Sequence, residues 1–525
     1  MAKNDLKSKI TELEVKIETS SEYEDFYALA QAYFDAGLND KVKDFIQNRL
    51  LIKFPGKTAD YLLWAKALVR QDKYDEALSK IYKALELTPE DVDSRIAQGK
   101  ILYHRERFAS AFDIFKALSA QNPKNRDVRL YMGMLFSQRN QHEKAIEEFK
   151  FIIENLDKLD VEAYFNLGLS YSVLGWYKEA IWAYKEVFKL QPEHPEGRYA
   201  IAYVYYRTGD FESALRQLNA GISMTRENDD LFWLKGQISY EKGKFNDAMF
   251  NFEQTIRANP ENVKAYSSLA ATYYQMGLKD FAAEYYLMAI QKNPSNEQNY
   301  LDLARIYEEK KAYDLAIKYY DMTIKKNENI INGYIGLGYC YKQKNEADRA
   351  LQYFDRVSKM NPNVPQIHFE MADLNKLKND FEQAAKHYTE SLNLKPDNPK
   401  AYYELGQIYR QKGDLETAKL YIREAVSIAP DDAKSHTALG RILLEQGLPK
   451  EAEQSFRKAL RFDGSFGLAV DGLLAIYKKE GNYSKAKRLL ERFLKNNPDA
   501  AEYLPEFEEL KKKTLNPIIK FFTGR

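Results

Sequence analysis

Apolar side chains in this chain return at spacings of three and four, pause, and return again, and the whole figure recurs along nearly its full length. Around Ala180 it reads Tyr164, Leu167, Gly168, Tyr171, Gly175, Tyr177, Ala180, Tyr184 and Pro192. Around Ala418 it reads Tyr402, Leu405, Gly406, Tyr409, Gly413, Leu415, Ala418, Ile422, Ala425 and Pro430. Residues three and four apart share one face of a helix, so each figure predicts two short helices with a break between them, a helical hairpin. The small residue eight places in and the alanine twenty places in predict where the two helices approach most closely.

That alanine recurs at Ala77, Ala111, Ala145, Ala180, Ala214, Ala248, Ala282, Ala316, Ala350, Ala384, Ala418, Ala452 and Ala486, a step of 34 residues broken once by a step of 35. A fixed period of this length means one small hairpin stacked many times, each burying its apolar face against its neighbours. About fourteen copies fit, the first being irregular because Val42 replaces the alanine and Pro55 falls one place late.

These residues and this period resemble the tetratricopeptide repeat family, over almost everything from about Glu22 to Pro498. The resemblance implies an all-α solenoid, a right-handed superhelix of about fourteen hairpins. Residues 1–21 are expected to form an N-terminal capping helix with an apolar stripe of Leu6, Ile10, Leu13 and Ile17, followed by a capping box of Ser21 and Glu24. Residues 22–498 form the superhelix, and 499–525 a C-terminal helix and an apolar, basic tail. Two readings stand for Ile518, Ile519, Phe521 and Phe522 with Lys511, Lys512, Lys513 and Lys520: a cover for the last repeat, or a docking segment for a partner protein or, less favoured, for a weak membrane-surface contact.

With 45% hydrophobic and 30% charged residues and a net charge of +1, the chain fits neither a disordered nor a polyanion-binding class. No run of 18 apolar residues offers a membrane span, and the start lacks the apolar stretch of a signal peptide, so a cytoplasmic place is expected. Cys340 stands alone between Tyr339 and Tyr341 and reads as core. The six histidines include no pair three or four residues apart, so no single helix offers a two-histidine metal site. Neither a phosphate loop nor a hydrolase elbow is present, and Gly333, Gly336 and Gly338 fall inside a first helix. The expectation is a protein without catalytic residues, cofactor or metal.

In the family so resembled, the inner surface comes mostly from first-helix positions two, five, nine and twelve. In the middle repeats these positions hold Leu130, Met134, Phe165, Leu169, Tyr199, Tyr203, Tyr206, Trp233, Tyr240 and Tyr274, an aromatic and aliphatic strip. From the ninth repeat on they hold Arg305, Lys342, Lys376, Arg410, Arg441 and Lys478, once per repeat. The strip predicts a groove for an extended or helical segment of another protein, and the cations predict attraction for an acidic stretch of it. First-turn residues Asp127 and Glu162 early, against Lys264 and Lys400 late, extend the contrast to an inner surface acidic first and basic later. The function expected is a non-catalytic scaffold or adaptor; the alternative is a substrate-recruiting or regulatory subunit of an enzyme complex. Nucleic acid is not an expected partner.

Overall fold

Why the two helices of each repeat can touch is visible at the eighth position. In a computed structural model of the chain, a Cβ added to Gly99 would lie 2.6 Å from the ring of Phe115, and one added to Gly133 would lie 2.5 Å from that of Phe149. Both rings are fully buried. The residue sixteen places on from the eighth-position glycine thus fills the space that the missing side chain leaves. The recurring alanine is fully buried in all thirteen repeats that carry it, and so is Val42 in the first.

The structure describes residues 3–194, 196–225 and 228–514. Among them, fourteen helical hairpins follow one another, from Tyr23–Asp35 with its partner helix to Gly467–Lys479 with Tyr483–Asn496, and no strand occurs. The chain divides into two compact parts, residues 1–265 and 266–525. Within each part, hairpin packs on hairpin in chain order.

More than half of the first helices begin at side-chain caps. Asp91 accepts from the Ser94 amide at 2.8 Å, and Asp160 from that of Ala163 at 2.9 Å, satisfying amides that an uncapped first turn leaves without partners. They end in a left-handed residue at position fifteen. Gly277 at φ +78° is one example, yet Asp72 at 57° and Lys311 at 59° hold the same conformation without being glycine. The two irregular steps have distinct causes. The first repeat absorbs its extra residue in a π-helical turn, Ile46–Leu50, which delays Pro55 by one place. The step of 35 after Ala145 is absorbed in the loop that follows His142–Asn155, where the Asp157 amide reaches the Ile152 carbonyl at 2.9 Å.

At the N-terminus the helix Lys3–Lys16 covers the first repeat, with Ile10 buried and the Tyr33 hydroxyl donating to Glu14 at 2.6 Å; Ile17, just beyond it, is buried too. The capping box of Ser21 and Glu24 does not form. Ser20 takes that place, its oxygen accepting from the Glu22 amide at 3.1 Å and its hydroxyl donating to Asp25 at 2.6 Å. At the other end Leu504–Lys513 packs Leu510 and Phe507 into the core of the last repeat. Ile518, Ile519, Lys520, Phe521 and Phe522 lie outside the described residues.

Candidate functional site

The strip of the N-terminal part is built on four consecutive first helices, from Arg126–Gln138 to Asp229–Glu241. Its centre is the helix Gly197–Arg207, where Tyr199 and Tyr203 stack at 6.3 Å and Tyr206 lies 6.3 Å beyond Tyr203. Spacings of four and three place the three rings on one face. All three are half-buried against the core around Leu218 and Leu234. Burial, with Asp230 nearby, pushes the Tyr199 phenol up to about 12. The Tyr203 hydroxyl accepts from Arg207 at 3.0 Å, and Tyr206 donates to Glu241 of the next repeat.

Around this centre the other expected residues differ in exposure. Phe165 packs on Tyr184 and lies 4.7 Å from the His194 ring. That histidine also borders a cleft of about 300 Å³ with Glu193, Arg198, Gly221, Met224 and Thr225. Leu169 is 40% exposed, Met134 is half-buried, and Tyr240 packs on Phe245 at 5.7 Å. Trp233 is half-buried and takes the Lys264 ammonium 5.7 Å above its ring. Leu130 is a correction. It is 3% exposed because position five faces the following repeat, where Ala163, Tyr164 and Leu167 form one core with it.

In the C-terminal part the six cations are not a row of free positive charge. Lys342 pairs with Glu370, Lys376 with Glu404 at 2.7 Å, and Lys478 with Glu506 at 2.6 Å. Arg410 grips Glu445 with two nitrogens, at 2.6 and 2.9 Å. Glu370, Glu404 and Glu445 stand 28 or 35 residues on, at position six or thirteen of the next first helix, and Glu506 stands 28 on, in the C-terminal helix Leu504–Lys513. Arg305 is exposed, 3.7 Å from Asp302, and Arg441 is half-buried near the Tyr403 phenol. Tyr274 occupies the same link as the four paired cations by donating to Glu309, a bond that with burial pushes its phenol up to about 12. The first-turn charges are also engaged, Asp127 by Lys100 at 2.7 Å, Glu162 by Arg126, and Lys400 by Asp373 at 3.7 Å.

Sequence reasoning passed over two features. The aromatic residues Trp182, Phe250 and Phe281, all on second helices, are 47%, 56% and 51% exposed, more than the half-buried strip. A surface stripe of second-helix positions could have revealed them. The other feature is a meeting of His368, His387 and Glu390, whose ligand-type atoms lie within 4.8 Å of one another. Its histidines sit on different helices, so a search along single helices misses them.

Family models for tetratricopeptide repeats match residues 62–126, 175–238, 236–277 and 474–500, and the model for the C-terminal domain of cilia and flagella-associated protein 70 matches 262–470. The chain is a tetratricopeptide repeat protein. It is 25% identical over 213 residues to the TPR repeat-containing protein MJ1428 of Methanocaldococcus jannaschii, a match covering 41% of this chain and 37% of that protein. It is 24% identical over 182 residues to a BBSome complex member BBS4 homolog of Drosophila melanogaster, covering 32% and 37%. These matches span less than half the length of either relative. Among solved structures, a similarity to the APC/C hetero-tetramer Cut9-Hcn1 covers 90% of this chain and 99% of that one, at 13% identity and a TM-score of 0.36. One to YrrB, described as a TPR protein with an unusual peptide-binding site, covers 36% and 97%, at 17% identity and a TM-score of 0.34. Tetratricopeptide hairpins present side chains for other proteins to bind, and no helix among the described residues is long and apolar enough to cross a membrane.

Proposed function

We propose that this tetratricopeptide protein is a non-catalytic scaffold that holds a peptide or helical segment of another protein on the tyrosine-rich strip of its N-terminal part. The observation that carries this reading is the stack of Tyr199, Tyr203 and Tyr206, three rings on one helix face that the hairpin core leaves half-exposed. Rigid aromatic rings with a polar tip give large contact area at little cost in side-chain entropy, and such residues dominate the energetics of interfaces. An acidic segment in the partner has less behind it. To reach Lys342, Lys376, Arg410 or Lys478 it would have to displace a glutamate already in place, while of the six cations Arg305 is held only loosely, 3.7 Å from Asp302.

A second reading, a subunit of a multiprotein assembly, has the BBSome-member relative behind it; a partner that co-purifies in fixed stoichiometry through gel filtration is its signature. A cytoplasmic place belongs to the same proposal; a single cysteine, Cys340, allows no disulfide within the chain and suits a reducing compartment. Nucleic acid is left out of the reading because a net charge of +1 offers no phosphate-binding surplus.

The test is photocrosslinking from position 203, with position 250 on a second helix as the comparison. A partner captured from 203 should bind about tenfold or more weakly to Tyr203→Ala and to Trp233→Ala, at unchanged melting temperature, and normally to Phe250→Ala. Normal binding to both strip variants, or capture from 250 alone, moves the interface off the strip.

A further inference from the structure

In several repeats position four of the first helix has the same task. Its side chain donates to the carbonyl of a proline six residues earlier: Arg95 to Pro89 at 2.9 Å, Arg129 to Pro123 at 2.7 Å, Tyr300 to Pro294 at 3.2 Å, His368 to Pro362 at 3.1 Å and His436 to Pro430 at 2.8 Å. A carbonyl only accepts, so in His368 and His436 a proton is on Nε2, and in the neutral form of either ring Nδ1 presents a lone pair. In both residues that Nδ1 is buried and has no hydrogen-bond partner. What faces it differs. His436 lies 5.6 Å from the Phe462 ring, whereas the Nδ1 of His368 lies 3.1 Å from Oε2 of Glu390.

A lone pair on that nitrogen and a carboxylate oxygen at this separation repel unless a proton or a metal cation lies between them. The same carboxylate oxygen lies 2.8 Å from Nδ1 of His387, which is on the second helix of the same hairpin, three residues before Glu390. The three side chains are 12%, 14% and 36% exposed, so the two imidazoles are largely shielded and the carboxylate opens one side to water. Ligands about 2.0–2.1 Å from a tetrahedral zinc stand about 3.3 Å apart, a few tenths of an ångström beyond these separations.

We propose that His368, His387 and Glu390 form a binding site for a divalent transition metal, zinc by preference, with Nδ1, Nδ1 and one carboxylate oxygen as ligands and water in the fourth position. Two imidazoles and a carboxylate are a borderline ligand set that suits zinc over magnesium or calcium. The Nε2–H bond from His368 to the Pro362 carbonyl is the outer contact that fixes the tautomer and aims the ring. Bound metal would tie the helices Pro365–Leu377 and Phe381–Leu394 of one hairpin together. This site stands independently of the partner-binding strip.

The experiment uses the full chain stripped with chelator and titrated with zinc chloride by calorimetry, and with cobalt(II) by visible absorption. The expected result is one equivalent bound, a cobalt spectrum of tetrahedral type, and a rise in melting temperature that chelator reverses. Glu390→Gln, on the most exposed of the three ligands, should keep the fold and weaken zinc by about tenfold or more. His387→Gln should do the same and lose the cobalt band, while His436→Gln should leave both unchanged. Zinc binding by the parent chain no tighter than by folded Glu390→Gln, or a cobalt spectrum that stays octahedral, overturns the proposal and leaves a proton as the bridging cation.

Discussion

Position twelve of the first helix is occupied by Tyr206 in the N-terminal part, and in the C-terminal part by Tyr274 and then by Lys342, Lys376, Arg410 and Lys478. Each reaches a glutamate of the following first helix or, for Lys478, of the C-terminal helix Leu504–Lys513. The link is common, and its charge is not. A phenol bonded to a carboxylate leaves one negative charge and a flat apolar ring, whereas an ammonium or guanidinium paired with a carboxylate leaves neither. One joint between repeats can therefore be made in two ways, and the choice decides what surface remains for a partner. The tyrosine version leaves something to bind; the ion-paired version spends its charge inside the chain.

The contrast is confined to that surface only if the cores of the two parts are alike. Phe252 and Phe354 are both fully buried at position twenty-four, one in each part, each filling the gap left by a glycine, Gly236 and Gly338. Phe252→Ala and Phe354→Ala are each expected to cost about 3–5 kcal/mol, measured by urea unfolding of the full chain. A difference of more than about 2 kcal/mol between them would place the contrast in the packing and not on the surface.

Buried carboxylates sharpen the comparison further. Asp60 is fully buried with one neutral donor, the Tyr23 hydroxyl at 2.9 Å, and its other oxygen has no partner. Burial pushes its carboxyl up to about 6, against the Tyr23 bond. Because the folded state holds this proton more tightly than the unfolded chain, the stabilisation is full below about pH 4 and is lost as pH rises through about 6. Asp60→Asn should therefore gain on the order of 2–3 kcal/mol over the parent at pH 8 and nothing at pH 4, followed by thermal melts across that window. Glu370 is also buried, but Lys342 supplies a cation and Gln366 donates at 2.7 Å. Glu370→Gln leaves the Lys342 ammonium without its counter-charge and should lose about 2 kcal/mol at pH 8. The same sign for both substitutions would end the distinction between neutral and charged partners.

What the amino-acid pattern reveals and what it hides divide along the range of the interaction. The hairpins, the buried alanines and the eighth-position glycines follow from period and residue size, which act within one repeat. Even the irregular first repeat announces its π-helical turn through the late Pro55. The pairing of Lys376 with Glu404 or Arg410 with Glu445 was not legible, since partners 28 and 35 residues apart are equally available to a side chain until the offset between helices is known. Leu130 was misplaced for a related reason. Position five faces the next repeat, and whether its side chain is covered depends on the packing it meets there: Leu130 and the Phe369 ring are buried while Tyr199 is half-buried. The three-residue meeting at His368 needed the hairpin itself, because only closure of one helix on the other brings position four beside position twenty-three.

The smallest effect is also the most direct probe of the two joints. Tyr206→Phe removes the donor to Glu241 while keeping the ring, and should cost about 0.5–1 kcal/mol. Lys376→Met removes the cation from Glu404 while keeping most of the aliphatic stem, and should cost about 1 kcal/mol at low salt. Salt separates them. At 1 M sodium chloride the screening length falls to about 3 Å, so a partly exposed ion pair weakens while a phenol–carboxylate hydrogen bond, with only one charge in it, changes little. The cost of Lys376→Met should shrink by about half between 0.05 and 1 M salt while that of Tyr206→Phe holds constant. Equal salt dependence in the two variants would mean that the joints work by the same force, and the surface left beside Tyr206 would then owe nothing to how its repeats are tied.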